Sequence, residues 1–126
     1  MRRLLKRFRA HDGGGPAIEF GLVAPIMASV LLLGVDGWMR MSHVQNMAAA
    51  IHTGARYYQG GGTEDDEAVK LALAAWAHPS DDAEVTITRE SSGSPEQTFV
   101  TLEATSTFTG LKGSEVLTQK EVVRVQ

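Results

Sequence analysis

Glu19 is the only charged residue between Ala17 and Val35, and a carboxylate placed in an otherwise apolar run has to do something there. On insertion scales an ionised side chain costs about 2.5 to 3.5 kcal/mol at the centre of a bilayer and less near its edge, so its presence asks for a partner or a purpose. It either finds a partner of opposite charge or snorkels as a carboxylate at the interface. The other groups capable of chemistry are more scattered. His11, His43, His52 and His78 show none of the i, i+3 or i, i+4 spacing that puts two metal ligands on one helix face. Glu64-Asp65-Asp66-Glu67 and Asp81-Asp82 lack the spaced oxygen ligands of a calcium loop and read as solvated polar segments. No serine sits in a nucleophile elbow and no glycine-rich loop carries the lysine that cradles phosphate. The sequence therefore points to no enzyme, cofactor, metal or small-molecule substrate.

The elements around Glu19 give it a setting. Arg2, Arg3, Lys6, Arg7 and Arg9 precede the apolar run. At about 1.5 Å per helical residue, a run of that length just covers a hydrocarbon core of about 30 Å. A basic segment before an apolar one keeps the N-terminus in the cytoplasm and sends the C-terminal part of the chain across the membrane. Without residues 1–14 the chain keeps 7 basic residues against 14 acidic ones, so the exported part is acidic. Acidity argues against nucleic acid, whose phosphates reward clustered lysine and arginine. The absence of cysteine excludes disulfides and thiol-based metal or redox sites.

In a secretory signal the cleavage site comes after the apolar run, and here the candidate site precedes it. A basic leader, Gly14-Gly15, Glu19-Phe20 and a long apolar helix resemble the class III signal of type IV pilins and pseudopilins. With Pro25, Leu33-Gly34-Val35-Asp36 and Gly54-Ala55-Arg56, the first half of the chain resembles the TadE/TadG-like pseudopilins of the tight-adherence (Tad, or Flp) pilus system. The resemblance implies a cut between Gly14 and Gly15 by a prepilin peptidase. It also implies that Glu19, followed by Phe20, pairs with the N-terminal amine of a neighbouring subunit during assembly. The partners implied are the inner membrane, that peptidase, other pilins or pseudopilins and the Tad assembly platform, with the head in the periplasm and a role in adhesion or secretion. The alternative from the residues alone is an uncleaved, single-pass anchored module whose acidic head binds a periplasmic partner.

The expected organisation is a leader over 1–14, a transmembrane helix over 15–36, its membrane-distal continuation over 37–59 and a small head over 60–126. Phe20, Val23, Met27, Val30, Gly34, Gly37, Met41, Val44, Ala48, Ile51, Ala55 and Tyr58 recur at steps of three and four, the seam of one long helix packed along its length. Gly34 and Gly37 lie on that seam, where missing side chains admit a neighbouring backbone. Pro25 removes a backbone donor and predicts a bend. Gly60-Gly61-Gly62 ends the helix. Thr63 predicts an N-cap, with Glu64, Asp65 and Asp66 in the first turn of a second helix that runs to about His78 before Pro79. Its apolar face is broad, with Val69, Leu71, Ala72, Leu73, Ala75 and Trp76.

Beyond Pro79 the period changes to two. Val85 and Ile87 alternate with threonines, as do Val100, Leu102, Ala104, Ser106 and Phe108 with Thr101, Glu103, Thr105 and Thr107. These are strands with one wet face. The loop Ser91–Pro95 predicts a hairpin, Leu111–Ser114 a second turn, and Val116–Val125 a further strand. The fold class expected is α+β and pilin-like. A long N-terminal helix continues into a head of one more helix and a three- to four-stranded antiparallel sheet.

Overall fold

The computed structural model of the protein describes residues 15–93 and 95–125. It divides into two compact units, Met1–Asp36 and Gly37–Gln126. The elements in chain order are α1 (Gly15–Gln59), α2 (Asp65–Ala75), β1 (Glu84–Ser92), β2 (Gln97–Gly110) and β3 (Gly113–Val125). The α+β layout of a long apolar N-terminal helix, a short second helix and an antiparallel sheet is the one the sequence pattern gives. The described strands are three, in the order β1-β2-β3 with both pairings antiparallel.

In the unit Gly37–Gln126 the core follows from periodicity. Val100, Leu102, Ala104, Ser106 and Phe108 of β2 are all buried, flanked by Val85 of β1 and by Leu117 and Val123 of β3. The even-numbered face of the central strand is thus closed over, as alternation in a one-sided sheet requires. From α1, Met47, Ala50, Ile51, Ala55 and Tyr58 pack onto that face, and from α2, Ala68 and Ala72 with the adjoining Trp76. The seam expected on α1 holds at Val44, Ile51, Ala55 and Tyr58 and is widened by Met47, Ala50 and Gly54, which also face inward, whereas Ala48 is exposed and Met41 is 58% exposed. Gly54 explains the choice. A Cβ there would lie 2.8 Å from Leu102 Cδ2, 3.2 Å from the Ala68 carbonyl oxygen and 3.3 Å from Ala72 Cβ, so α1 and α2 approach at a point that only glycine and alanine fit.

That close approach also narrows the buried face of α2. Ala68 and Ala72 are inside, while Leu71 and Leu73 remain 42% and 39% exposed, against the expectation of a broad apolar face. The start of α2 differs as well. Glu64, not Thr63, occupies the N-cap position and makes no side-chain cap bond. Arg89 has taken the Thr63 carbonyl instead. The helix stops at Ala75 rather than near His78, because Trp76 leaves helical geometry to bury its ring and His78 takes a left-handed φ of 56° ahead of Pro79.

The triple glycine closes α1 as expected and shows how. Gly62 N–H donates to the Tyr57 carbonyl (2.9 Å) and Gly61 N–H to that of Tyr58 (3.0 Å), with Gly61 at φ 88°. This is a Schellman closure, whose left-handed position favours glycine. The strands are longer than their apolar cores. Ser91 and Ser92 extend β1, and β3 begins at Gly113 rather than Val116. The β2–β3 turn is a two-residue tip, Leu111-Lys112, and the left-handed step falls on Gly113 at φ 114°.

Candidate functional site

In the unit Met1–Asp36, the described residues of α1 are apolar on every side. Leu31, Leu32 and Leu33 are consecutive, so at 3.6 residues per turn they point in three directions. All are more than half exposed, and no large apolar side chain from Ile18 (67%) through Phe20 (74%) to Val35 (54%) is less than 52% exposed. The most apolar 18-residue window has a mean hydropathy of 2.1 and no buried residue. A soluble surface helix hides one stripe and wets the rest. This one is long and apolar enough to cross a membrane.

Within it, Gly15 and Glu19 stand four residues apart, hence one above the other on one helix face. Glu19 and Phe20 are both exposed. Gly14 lies outside the described residues, as does the basic leader. A Cβ built on Gly34 or Gly37 meets nothing within 4 Å. At Pro25 the chain stays helical, and Ser29 Oγ donates to the Pro25 carbonyl at 2.8 Å. Hydroxyl back-bonding of this kind, four residues along, is a common accompaniment of helix bending.

The polar groups of the unit Gly37–Gln126 are arranged as fasteners. Arg89 Nε donates to both Asp65 carboxylate oxygens at 3.1 and 3.2 Å, its Nη2 to Asp65 and to the Thr63 carbonyl (2.7 Å), and Tyr58 Oη donates to the same carboxylate. The Arg89 hydrogen bonds hold the Asp65 carboxyl below its usual range. Burial, with the bond to Asp65, pushes the Tyr58 phenol up. This cluster ties α1, α2 and β1 together and absorbs the first carboxylate of the acidic helix start. Glu67 is engaged by Lys70 at 2.8 Å.

A second chain runs from His43 Nε2 to Ser106 Oγ (2.9 Å), on to Ser80 Oγ, and from Ser80 to Asp82. It contains histidine, serine and aspartate, yet the order is wrong for nucleophilic catalysis. The carboxylate stands on the serine side instead of orienting the far ring nitrogen, and Ser106 is 1% exposed. Asp82 also accepts the Thr107 backbone N–H at 3.1 Å, and these bonds, that from Ser80 foremost, lower its carboxyl to about 2. The arrangement pins the loop before β1 to β2. Among the described residues, no three His, Asp or Glu side chains gather as metal ligands would.

Sequence reasoning singled out Gly54 only as part of Gly54-Ala55-Arg56 and missed its packing role, and it missed Arg89 and Ser80. Gly54 carried a signal, a glycine in the interior of a helix, where it costs about 1 kcal/mol relative to alanine and so needs a reason. Comparison of the chain with family models, with curated proteins and with solved structures gives no match to any of them.

Proposed function

We propose that the protein is a pseudopilin or minor pilin of a Tad-type pilus. On this reading it is anchored in the inner membrane by residues 15–36, with its head in the periplasm, and is cut between Gly14 and Gly15 by a prepilin peptidase. The observation that carries the reading is a single helix used in two ways. Its first part is apolar on all sides with one carboxylate near its start, and its second part supplies one face of the core of a small antiparallel-sheet head. A signal peptide discarded after translocation has no need of such a continuation. Cleavage would create an amine on Gly15, one helical turn from Glu19 on the same face, and at a membrane boundary that amine and the Glu19 carboxylate of a neighbouring copy answer each other's charge.

The deciding experiment is the N-terminal sequence and intact mass of the chain recovered from membranes of cells carrying the peptidase. Gly15 as the first residue is expected. Met1 as the first residue, with the peptidase active on its other substrates, would leave an uncleaved anchored module as the better reading.

A further inference from the structure

The tip of the β2–β3 hairpin pairs an apolar side chain with a cation: Leu111 is 62% exposed and Lys112 is exposed beside it. The hairpin closes at the Gly110–Gly113 pair. Its closed end lies beside the beginning of the head's portion of α1. Arg40 makes an ion pair with Glu115, His43 Nε2 meets Ser106 Oγ at 2.9 Å, and the His43 and Phe108 rings stand 5.8 Å apart. Arg40 is five residues beyond Val35, the last apolar residue of the run. Even a fully extended chain of that length spans no more than about 18 Å. Between them stands Trp38, 72% exposed, a residue type that settles at the level of lipid headgroups.

We infer that the Leu111-Lys112 tip is a second membrane contact, with Leu111 entering the boundary of the acyl chains and the Lys112 ammonium at the level of anionic headgroup phosphates. A leucine and a lysine side by side suit that boundary, since a lysine stem lies along apolar surface while its ammonium stays at the polar layer. Two glycines flank the pair and leave the tip narrow enough to enter between headgroups. The opposite end of the sheet has no such placement. Along the 14 residues of β2, at about 3.3 Å each, the β1–β2 hairpin lies some 45 Å from the tip. The contact would hold the head at the bilayer surface before assembly and would have to be released when a subunit leaves the membrane.

This inference rests on residues 15–36 spanning the bilayer, and the test separates the two. The chain has no cysteine, so Leu32→Cys, Leu111→Cys, Lys112→Cys and Ser92→Cys each give one site for an environment-sensitive fluorophore on the full-length protein. Each is placed in nanodiscs of phosphatidylcholine and phosphatidylglycerol, one chain per disc, with and without nitroxide-bearing lipid. Expected are strong quenching at 32, and quenching at 111 and 112 several-fold greater than at 92. Quenching at 32 with water-like, unquenched emission at 111 and 112 overturns the membrane contact and leaves the span intact. Blue-shifted but unquenched emission at 111 overturns it too, since a protein surface would then be what covers the tip. Loss of quenching at 32 overturns the span, and this inference with it. In the Leu111→Cys background, Lys112→Glu should weaken the quenching at 111 in these discs and not in discs of phosphatidylcholine alone; equal quenching in both removes the headgroup role of Lys112.

Discussion

Gly54→Ala should destabilise the head, although alanine is the better helix former. In an unconstrained helix the change gains about 1 kcal/mol. At Gly54 the new methyl would lie 2.8 Å from Leu102 Cδ2, 3.2 Å from the Ala68 carbonyl oxygen and 3.3 Å from Ala72 Cβ. Leu102 is fully buried in the centre of the sheet and has little room to turn. The other two atoms belong to the backbone and the first side-chain carbon of α2, and move only if the helix moves. Overpacking of this kind costs about 1 to 3 kcal/mol, so the net loss should be about 1 kcal/mol for alanine and larger for Gly54→Val. Gly37→Ala, in the same helix with nothing within 4 Å of its Cβ, supplies the control and should gain close to the full propensity difference. The assay is denaturant unfolding of the full chain in detergent, followed by the buried Trp76 in a Trp38→Phe background. In a unit of this size a loss of about 1 kcal/mol lowers the melting temperature by about 4 to 8 °C. A Gly54→Ala head as stable as the parent, with Gly37→Ala behaving as expected, would refute the close approach of α1 to α2.

Acid should loosen the head in a defined window. Asp65 and Asp82 are held below their usual range, so the stability they contribute is complete above the ordinary carboxylate value near 4 and is lost as pH falls through their folded values, about 2 for Asp82; Asp82→Asn should flatten the unfolding midpoint against pH between about 4 and about 2. On the proposed pseudopilin reading, Glu19→Ala should leave membrane-fraction abundance unchanged or raised while lowering pilus number and crosslinking to pilus components. Normal pili and crosslinks in that variant would reduce Glu19 to a carboxylate at the interface.

What the sequence disclosed and what it concealed divide along physical lines. Alternation over Val100–Phe108 marked the buried face of β2 residue by residue, because in a one-sided sheet a side chain has only two directions to take. A helix offers more directions, and there hydrophobicity alone does not decide among them. Ala48 and Ala50 are chemically identical, yet Ala50 is buried and Ala48 exposed, the selection being made by Gly54 and the room it leaves for α2. The same contact left Leu71 and Leu73 partly in water, where composition alone would have put them inside. The fasteners were hidden for another reason. Arg89 meets Asp65 across 24 positions and His43 meets Ser106 across 63, separations over which a single sequence carries no spacing rule. The leader, with Gly14, stood out by charge order and spacing and lies outside the described residues.

The charges of β3 show why the head can be so small and still hold α1 in one place. By register Glu115 and Glu121 lie on the same face as Leu117 and Val123, the face that carries the core. Carboxylates there need partners, and α1 supplies both: Arg40 to Glu115, and His52 Nδ1 to Glu121 Oε1 at 3.1 Å. Twelve helical residues from Arg40 to His52 rise about 18 Å, and six strand residues from Glu115 to Glu121 advance about 20 Å. The two spacings match, so both contacts form together only when α1 runs alongside β3 in the same direction at this register. Sliding the helix by one turn would break both at once. Each pair is about half exposed at one partner or more, and such pairs contribute little, about 0 to 1 kcal/mol. Their effect is selective: with the close fit of Gly54 over Leu102 and the His43–Ser106 contact, two carboxylates spaced to match the helix disfavour every other translation of α1 over the sheet.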